Sequence, residues 1–112
     1  MKNYLLTLIM AVLGIFCGRD MQAQFVTIPD ANFVTYLQTN YPTCMNGNQM
    51  DTTCVAIISE TKVNCLNKSI SDLSGIEYFD NLDTLICGNN NLTSLANLPS
   101  TVTNLICYNN NF

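Results

Sequence analysis

The feature that most constrains this 112-residue sequence is a phrase that returns at a fixed distance. In the segment LICGNNNLTSLANLPSTVTNLICYNNNF, Leu-Ile-Cys is followed twice by asparagines and then by a large apolar residue. Leu85 matches Leu105 and Cys87 matches Cys107, each pair 20 positions apart. A chain that repeats at this interval builds stacked units, each of which buries its apolar side against its neighbours.

A third, imperfect copy lies upstream at a spacing of 22 residues. Val63 and Cys65 occupy its apolar and cysteine positions, and Lys68 stands where the later copies have asparagine. The shared pattern is L-x-x-L-x-C-x-x-N-x-L followed by L-x-x-L. It resembles the leucine-rich repeat, with cysteine in place of one leucine. The first unit resembles the 22-residue form of internalin-type bacterial proteins, and the second resembles the 20-residue form with an L-P-x-x-L segment.

The resemblance implies an α/β solenoid with short parallel strands, a mostly irregular convex side and a small helical N-terminal cap. Side chains alternate along a strand, so Leu85 and Cys87 would point into the core and Ile86 outward. Asn90 and Asn110 fall where the chain must turn. A buried asparagine amide can bond the backbone groups that a turn leaves unpaired, so we expect both residues to be structural.

The outward strand positions predict a concave face of the kind that solenoids use to bind partners. The candidate binding residues are Asn64, Leu66, Thr84, Ile86, Asn104, Ile106 and Tyr108. Four of them are apolar and would form a strip, which favours a protein partner over a charged ligand. We therefore expect protein binding or adhesion. A structural spacer or surface-coat repeat with no specific ligand is the alternative, because β-branched residues also simply favour strands.

Charge and residue usage argue against several other functions. From Gln24 onward two lysines stand against seven acidic residues, a net charge of 2 − 7 = −5. This balance argues against binding to nucleic acid or to an anionic membrane. The sequence has no histidine, no nucleophile motif and no clustered carboxylate pair, so we expect no catalytic residue and no enzyme activity. No cofactor and no metal ion are expected.

The first 23 residues have the layout of a secretory signal peptide. Lys2 is followed by an apolar run over residues 4–16 and by a small-residue exit at Ala23. The alternative is a membrane anchor. The apolar run is shorter than the ~20 residues of a membrane-spanning helix, which argues against that alternative. Lipoprotein processing at Cys17 is disfavoured by the large Phe16 before it. We expect cleavage near Ala23, secretion or display on a bacterial cell surface, and no membrane span in the mature chain.

Residues 24–60 are expected to cap the first repeat, because an open repeat end leaves apolar surface and a strand edge in water. The segment IPDANFVTYLQTNYP predicts a helix with Asp30 at its N-cap and Pro42 at its end. The apolar run CVAII, residues 54–58, could pair or pack beside the first repeat strand.

Cys44 and Cys54 flank the polar loop MNGNQMDTT and are expected to form a disulfide, which secretion permits. The alternative is a calcium site built from Asn46, Asn48 and Asp51. That loop lacks the later glutamate and most of the carboxylates of a calcium site.

The other cysteines of the mature segment, Cys65, Cys87 and Cys107, are expected to be free core thiols. A zinc site is the alternative, but one inward column cannot surround a metal tetrahedrally. The acceptor patterns NKS at Asn67 and NLT at Asn91 are treated as incidental.

The repeats, residues 61–112, hold about two and a half units, and the third lacks its convex return. We therefore expect a truncated piece of a longer protein. The opening phrase IPDANF also resembles that of secreted multi-repeat proteins from bacteria with type IX export. This resemblance implies further repeats and a C-terminal sorting domain.

Overall fold

The computed structural model describes residues 23–112, so the predicted signal peptide lies outside the described residues except for Ala23. The described chain forms two three-stranded sheets, one antiparallel and one parallel. The elements are β1 Phe25–Thr27, α1 Ala31–Asn40, a 3-10 turn Pro42–Cys44, β2 Met45–Asn46, β3 Gln49–Asp51, α2 Val55–Ile58, β4 Lys62–Asn64, a 3-10 turn Ile76–Tyr78, β5 Thr84–Ile86 and β6 Asn104–Ile106.

Helix α1 confirms the helix prediction for the cap segment, residues 24–60. The Asp30 side chain accepts hydrogen bonds from the backbone N–H groups of Asn32 and Phe33, both at 2.9 Å, which is N-cap geometry. The buried face of the helix includes Phe33 and Leu37, both fully buried. The helix ends at Asn40, and Pro42 opens a 3-10 turn, since proline lacks the N–H that a continuing helix needs.

The prediction of a helical cap is incomplete: the cap segment also contains an antiparallel sheet, with strand order β1-β3-β2. The predicted polar loop is a hairpin, in which β2 pairs with β3 around Gly47 at φ 59°. A positive φ of this size suits glycine. These strands have two or three residues and, unlike the equally short repeat strands, do not recur at a fixed interval that would reveal them in the sequence. The hairpin carries the expected disulfide, with the Cα atoms of Cys44 and Cys54 5.6 Å apart.

Residues 54–58 do not pair with the first repeat strand, but Ile57 packs in the same buried core as Val63 of that strand, as the packing alternative expects. Residues Val55–Ile58 form helix α2. The Cys54 carbonyl accepts hydrogen bonds from the N–H groups of Ile57 and Ile58, both at 3.0 Å, so the disulfide-bonded residue begins the helix. Ile57 is fully buried, whereas Val55 is 76% exposed.

The repeats form the parallel sheet β4-β5-β6, as the repeat spacing predicts. Val63 pairs with Leu85 and Leu85 with Leu105, so the 22- and 20-residue intervals place equivalent residues side by side. Val63 and Leu85 are fully buried, but Leu105 is 41% exposed. The first return is partly helical through the 3-10 turn, and residues 87–103 contain no helix, in agreement with the irregular convex side that we expected.

One continuous core joins the cap segment to the repeats. The Asp30 carboxylate also accepts hydrogen bonds from the N–H groups of Ser71 at 2.8 Å and Asp72 at 3.2 Å. Gly75 packs against the cap, because a Cβ there would lie 2.4 Å from the Ile28 side chain. The rings of Tyr41 and Phe79 meet edge to face, with centroids 5.7 Å apart. The cap is therefore fixed to the first repeat by polar and apolar contacts together.

Candidate binding surface

The asparagine turns form an internal ladder. Asn90 is buried, and its Nδ2 donates to the carbonyls of Cys65 at 2.9 Å and Cys87 at 3.0 Å. Its Oδ1 accepts from the N–H groups of Lys68 and Ile70, both at 3.0 Å. One side chain thus joins its own turn to the turn before it. These bonds engage both ends of the amide, which fits a structural role and leaves little for a ligand.

Asn110 repeats this arrangement one unit later. Its Nδ2 donates to the carbonyls of Cys87 at 3.0 Å and Cys107 at 3.1 Å, and its Oδ1 accepts from Leu92 N–H at 2.9 Å. The pattern explains why Lys68 stands at the asparagine position of the first unit. The cap segment lies before that turn in place of a repeat turn, and Asn32 bonds the Ser69 carbonyl there at 2.9 Å.

The predicted concave residues lie on the sheet face opposite the core. In the second unit Thr84 and Ile86 are half-buried, whereas the alternate residues Leu85 and Cys87 are fully buried. Strand register aligns equivalent outward positions, such as Asn64 with Ile86. In the first unit Asn64 is exposed and Leu66 is half-buried. In the third unit Asn104 and Tyr108 are exposed and Ile106 is half-buried.

Gly88 organises one row of this face. A Cβ at Gly88 would lie 3.1 Å from two ring atoms of Tyr108 and 3.2 Å from Leu66 Cδ1. The two side chains therefore meet over the glycine, and Tyr108 remains 53% exposed. We call Leu66, Ile86, Ile106 and Tyr108 the apolar strip. The sequence pattern identified the strip residues but not Gly88, whose role depends on a contact between neighbouring strands.

Polar side chains border the apolar strip along both ends of the strands. Beyond the carboxyl ends, Asn89 and Asn109 adopt φ values of 53° and 52°, and Asn109 Nδ2 donates to Asn89 Oδ1 at 2.8 Å. Before the amino ends, the Thr103 hydroxyl donates to the Asp83 carboxylate at 2.5 Å. An apolar centre with a polar rim is the usual anatomy of a protein interface.

A pocket of about 140 Å³ lies where helix α1 meets the first repeat turn. Its lining consists of Asn32, Thr35, Tyr36, Thr39, Asn40 and Lys68. Sequence analysis missed this pocket, although the polar residues recur at three- and four-residue spacing along the helix. Tyr36 is largely buried, and burial raises the pKa of its hydroxyl, so the hydroxyl is neutral at physiological pH.

No family model and no curated protein matches the sequence, but 16 chains of solved structures match the fold. An internalin from Listeria monocytogenes, InlF, aligns with a TM-score of 0.63 and 24% identity, over 75% of this chain and 25% of that chain. The functional domain of Listeria monocytogenes InlJ, described as including a cysteine ladder, aligns with a TM-score of 0.49 and 30% identity, over 67% of this chain and 17% of that chain. The likeness to InlF supports a fold of the leucine-rich repeat kind. The chain spans about a quarter of the length of that internalin.

The two buried thiols of the repeats, Cys65 and Cys87, are poorly reactive. Burial raises the pKa of Cys65 to about 12 and that of Cys87 to about 11, so both are protonated at neutral pH. Both are free, as is the partly exposed Cys107. Within residues 23–112 no group of three histidine, cysteine or acidic side chains is arranged to hold a metal ion.

Asp51, the only carboxylate of the alternative calcium loop, is occupied in a turn. Its Oδ1 accepts from the Thr53 N–H at 2.9 Å and from the Thr53 hydroxyl at 2.7 Å. Partial burial works against the charged form, but these hydrogen bonds and one from Gln24 lower the pKa of Asp51. Over the described part of the chain, no helix has the length and apolar character needed to cross a membrane.

Proposed function

We propose that this protein is a secreted or cell-surface leucine-rich repeat module that binds a protein partner through its concave face. The observation that carries this proposal is the apolar strip itself. Its side chains lie on the sheet face opposite the core, where three of them are half-buried and Tyr108 is exposed. Tyr108 is 53% exposed yet rests against Gly88, so a large aromatic group is offered in a restrained position. Exposed tyrosines of this kind are frequent energetic centres of interfaces.

The surroundings of the strip support a protein partner. Asn64, Thr84 and Asn104 contribute uncharged polar groups beside it. Such a surface can exclude water at its centre and hydrogen-bond at its margin. Export would follow from the signal-like leader and agrees with the Cys44–Cys54 disulfide, because disulfides persist in oxidising compartments. We propose cleavage near Ala23, a cap over residues 24–60 and repeats over residues 61–112.

A selection experiment tests the concave face. A phage-displayed library of random 16-residue peptides would be selected on the immobilised protein, and the enriched peptides synthesised. We expect Ile86→Asp and Tyr108→Asp each to weaken binding at least ten-fold, because each places a charge in the strip. Val55→Asp is the matched control, since Val55 is an exposed apolar residue outside the strip. Thermal melting would show that each variant is folded.

Two results would contradict the proposal. If the selection enriches no peptide, or if the strip variants bind as tightly as the Val55 variant, the concave face is not a protein-binding surface. Either result would favour the alternative of a structural spacer, in which the exposed apolar residues serve only strand formation.

A further inference from the structure

The pocket between helix α1 and the first repeat turn contains one ammonium group and no carboxylate. Its lining includes the buried Tyr36 of the helix and the exposed Lys68 of the repeat turn. The backbone of that turn is fixed, because the N–H of Lys68 is bonded to the buried Asn90. The cation is therefore carried on a rigid part of the molecule.

Hydrogen bonds to the backbone hold the neutral side chains of this pocket in place. The hydroxyls of Thr35 and Thr39 donate to the carbonyls four residues earlier, at 3.1 and 2.9 Å. Asn40 Nδ2 donates to the Tyr36 carbonyl at 2.8 Å, and Asn32 Nδ2 to the Ser69 carbonyl at 2.9 Å. Each amide group has two N–H donors, and these bonds use one of them. A negatively charged group in this pocket can therefore contact the Lys68 ammonium and the remaining N–H donors of Asn32 and Asn40.

The charge distribution of the described residues points to the same end of the molecule. Lys62 and Lys68 are the only cationic side chains in residues 23–112, and both are exposed on the first repeat. The acidic side chains of the repeats, Asp72, Glu77, Asp80 and Asp83, follow later in the chain. The cap segment also carries Asp30, Asp51 and Glu60, but backbone N–H groups bond the carboxylates of Asp30 and Glu60. Among the described residues, lysines occur only on the first repeat, so an anionic group of a partner finds its cationic contact there.

The pocket adjoins the concave face. Tyr36 belongs to the same buried core as Val63, the residue before Asn64 on the first repeat strand, and the Asn64 side chain is exposed on that face. Lys68 follows Leu66, the first residue of the apolar strip, by two positions. One partner can thus reach the pocket and the strip together.

We propose that this pocket binds a carboxylate side chain, aspartate or glutamate, of the protein partner. The inference rests on the proposed function and also defines how the partner is oriented along the concave face. The acidic residue lies at the cap, in contact with the Lys68 ammonium, and the apolar residues of the partner lie along the strip towards Tyr108. A partly exposed charge pair of this kind contributes mainly to specificity and orientation.

A small probe tests the pocket without the partner. The isotope-labelled protein would be titrated with N-acetyl-glutamate N-methylamide and, separately, with the glutamine analogue, while backbone amide resonances are followed by NMR. We expect the glutamate probe to shift resonances of residues 32–40 and 68 saturably, with a midpoint at least five-fold lower than the glutamine probe. Lys68→Gln should abolish this difference. Lys62→Gln removes the same charge from the same repeat and should preserve it.

The controls separate this inference from the proposed function. Equal shifts with both probes, or equal loss in the two lysine variants, would overturn the carboxylate site. Ile86→Asp is expected to leave the glutamate titration unchanged, because the strip does not contact the probe. If the titration fails, the carboxylate site is excluded but the peptide selection can still support binding by the apolar strip. If the selection fails, the titration still tests the carboxylate site independently.

Discussion

At the scale of single residues, the asparagine ladder shows how a polar side chain becomes part of a repeat core. Asn90 bonds two backbone carbonyls and two N–H groups across adjacent turns, and no side-chain polar atom buried within the described residues lacks a partner. The amide replaces backbone pairs that neither a strand nor a helix supplies at the turn. An apolar residue of similar size could not do this.

We expect Asn90→Ala to lower the free energy of unfolding by about 3 kcal/mol, because it leaves several buried backbone groups without partners. Asn91→Ala is the matched control, since Asn91 is the exposed neighbour. It should change stability by less than ~0.5 kcal/mol. Denaturant midpoints measure both. A small effect of the Asn90 variant would mean that water replaces the amide.

The buried thiols predict a loss of stability in alkaline solution. Burial raises the pKa of Cys65 from 9.0 to about 12 and that of Cys87 to about 11. Above pH ~9 the unfolded chain releases these protons and the folded chain retains them, so the free energy of unfolding falls with rising pH up to about the folded pKa values. Denaturant titrations between pH 8 and 12 should show this slope. It should be smaller in the Cys65→Ala, Cys87→Ala double variant; an unchanged slope would assign it to other groups.

At the scale of elements, Asp30 links two structures with one carboxylate. Its Oδ1 caps helix α1, and its Oδ2 accepts from Ser71 and Asp72 in the first repeat. We expect Asp30→Ala to cost about 2–3 kcal/mol, more than the ~1 kcal/mol of an ordinary N-cap. Asp30→Asn should cost less, because the amide oxygen can still cap the helix while the bonds to the repeat are lost. If Asp30→Asn costs as much as Asp30→Ala in denaturant melts, the helix cap contributes nothing. If Asp30→Asn costs nothing, the link to the repeat contributes nothing.

Elements also show where sequence reasoning succeeds. The repeat strands are predictable because the same residue types return at a fixed interval, and helix α1 is predictable from Asp30, its apolar face and Pro42. The hairpin β2–β3 and helix α2 are not, since their strands and helix are only two to four residues long and occur once in the chain's described part. The alternation of inward and outward side chains along the repeat strands identifies the apolar strip from the sequence. The carboxylate pocket could not be found this way, because it depends on how helix α1 packs against the first repeat turn.

At the scale of the whole molecule, packing decreases from the cap to the third repeat. The cap end is joined by the disulfide, by Asp30 and by a shared core in which most of its large apolar residues are buried, Phe25 and Val55 being the exposed exceptions. In the third unit Leu105 is 41% exposed, although its equivalent Leu85 is fully buried. Less apolar burial around β6 means that this strand should separate from the sheet at a lower free energy than the rest.

Two amide groups test this gradient, because their hydrogen bonds have the same length. Cys65 N–H donates to the Ile86 carbonyl at 2.8 Å, and Cys87 N–H donates to the Ile106 carbonyl at 2.8 Å. Opening of β6 frees the second amide and leaves the first protected. We therefore expect native-state hydrogen exchange, followed by NMR, to give Cys87 a protection factor at least ten-fold smaller than that of Cys65. The Asn90→Ala variant should narrow the gap, since it weakens the turn that joins the first two units. Equal protection of the two amides in the unmodified protein would instead show that the cap and all three strands open as one cooperative unit.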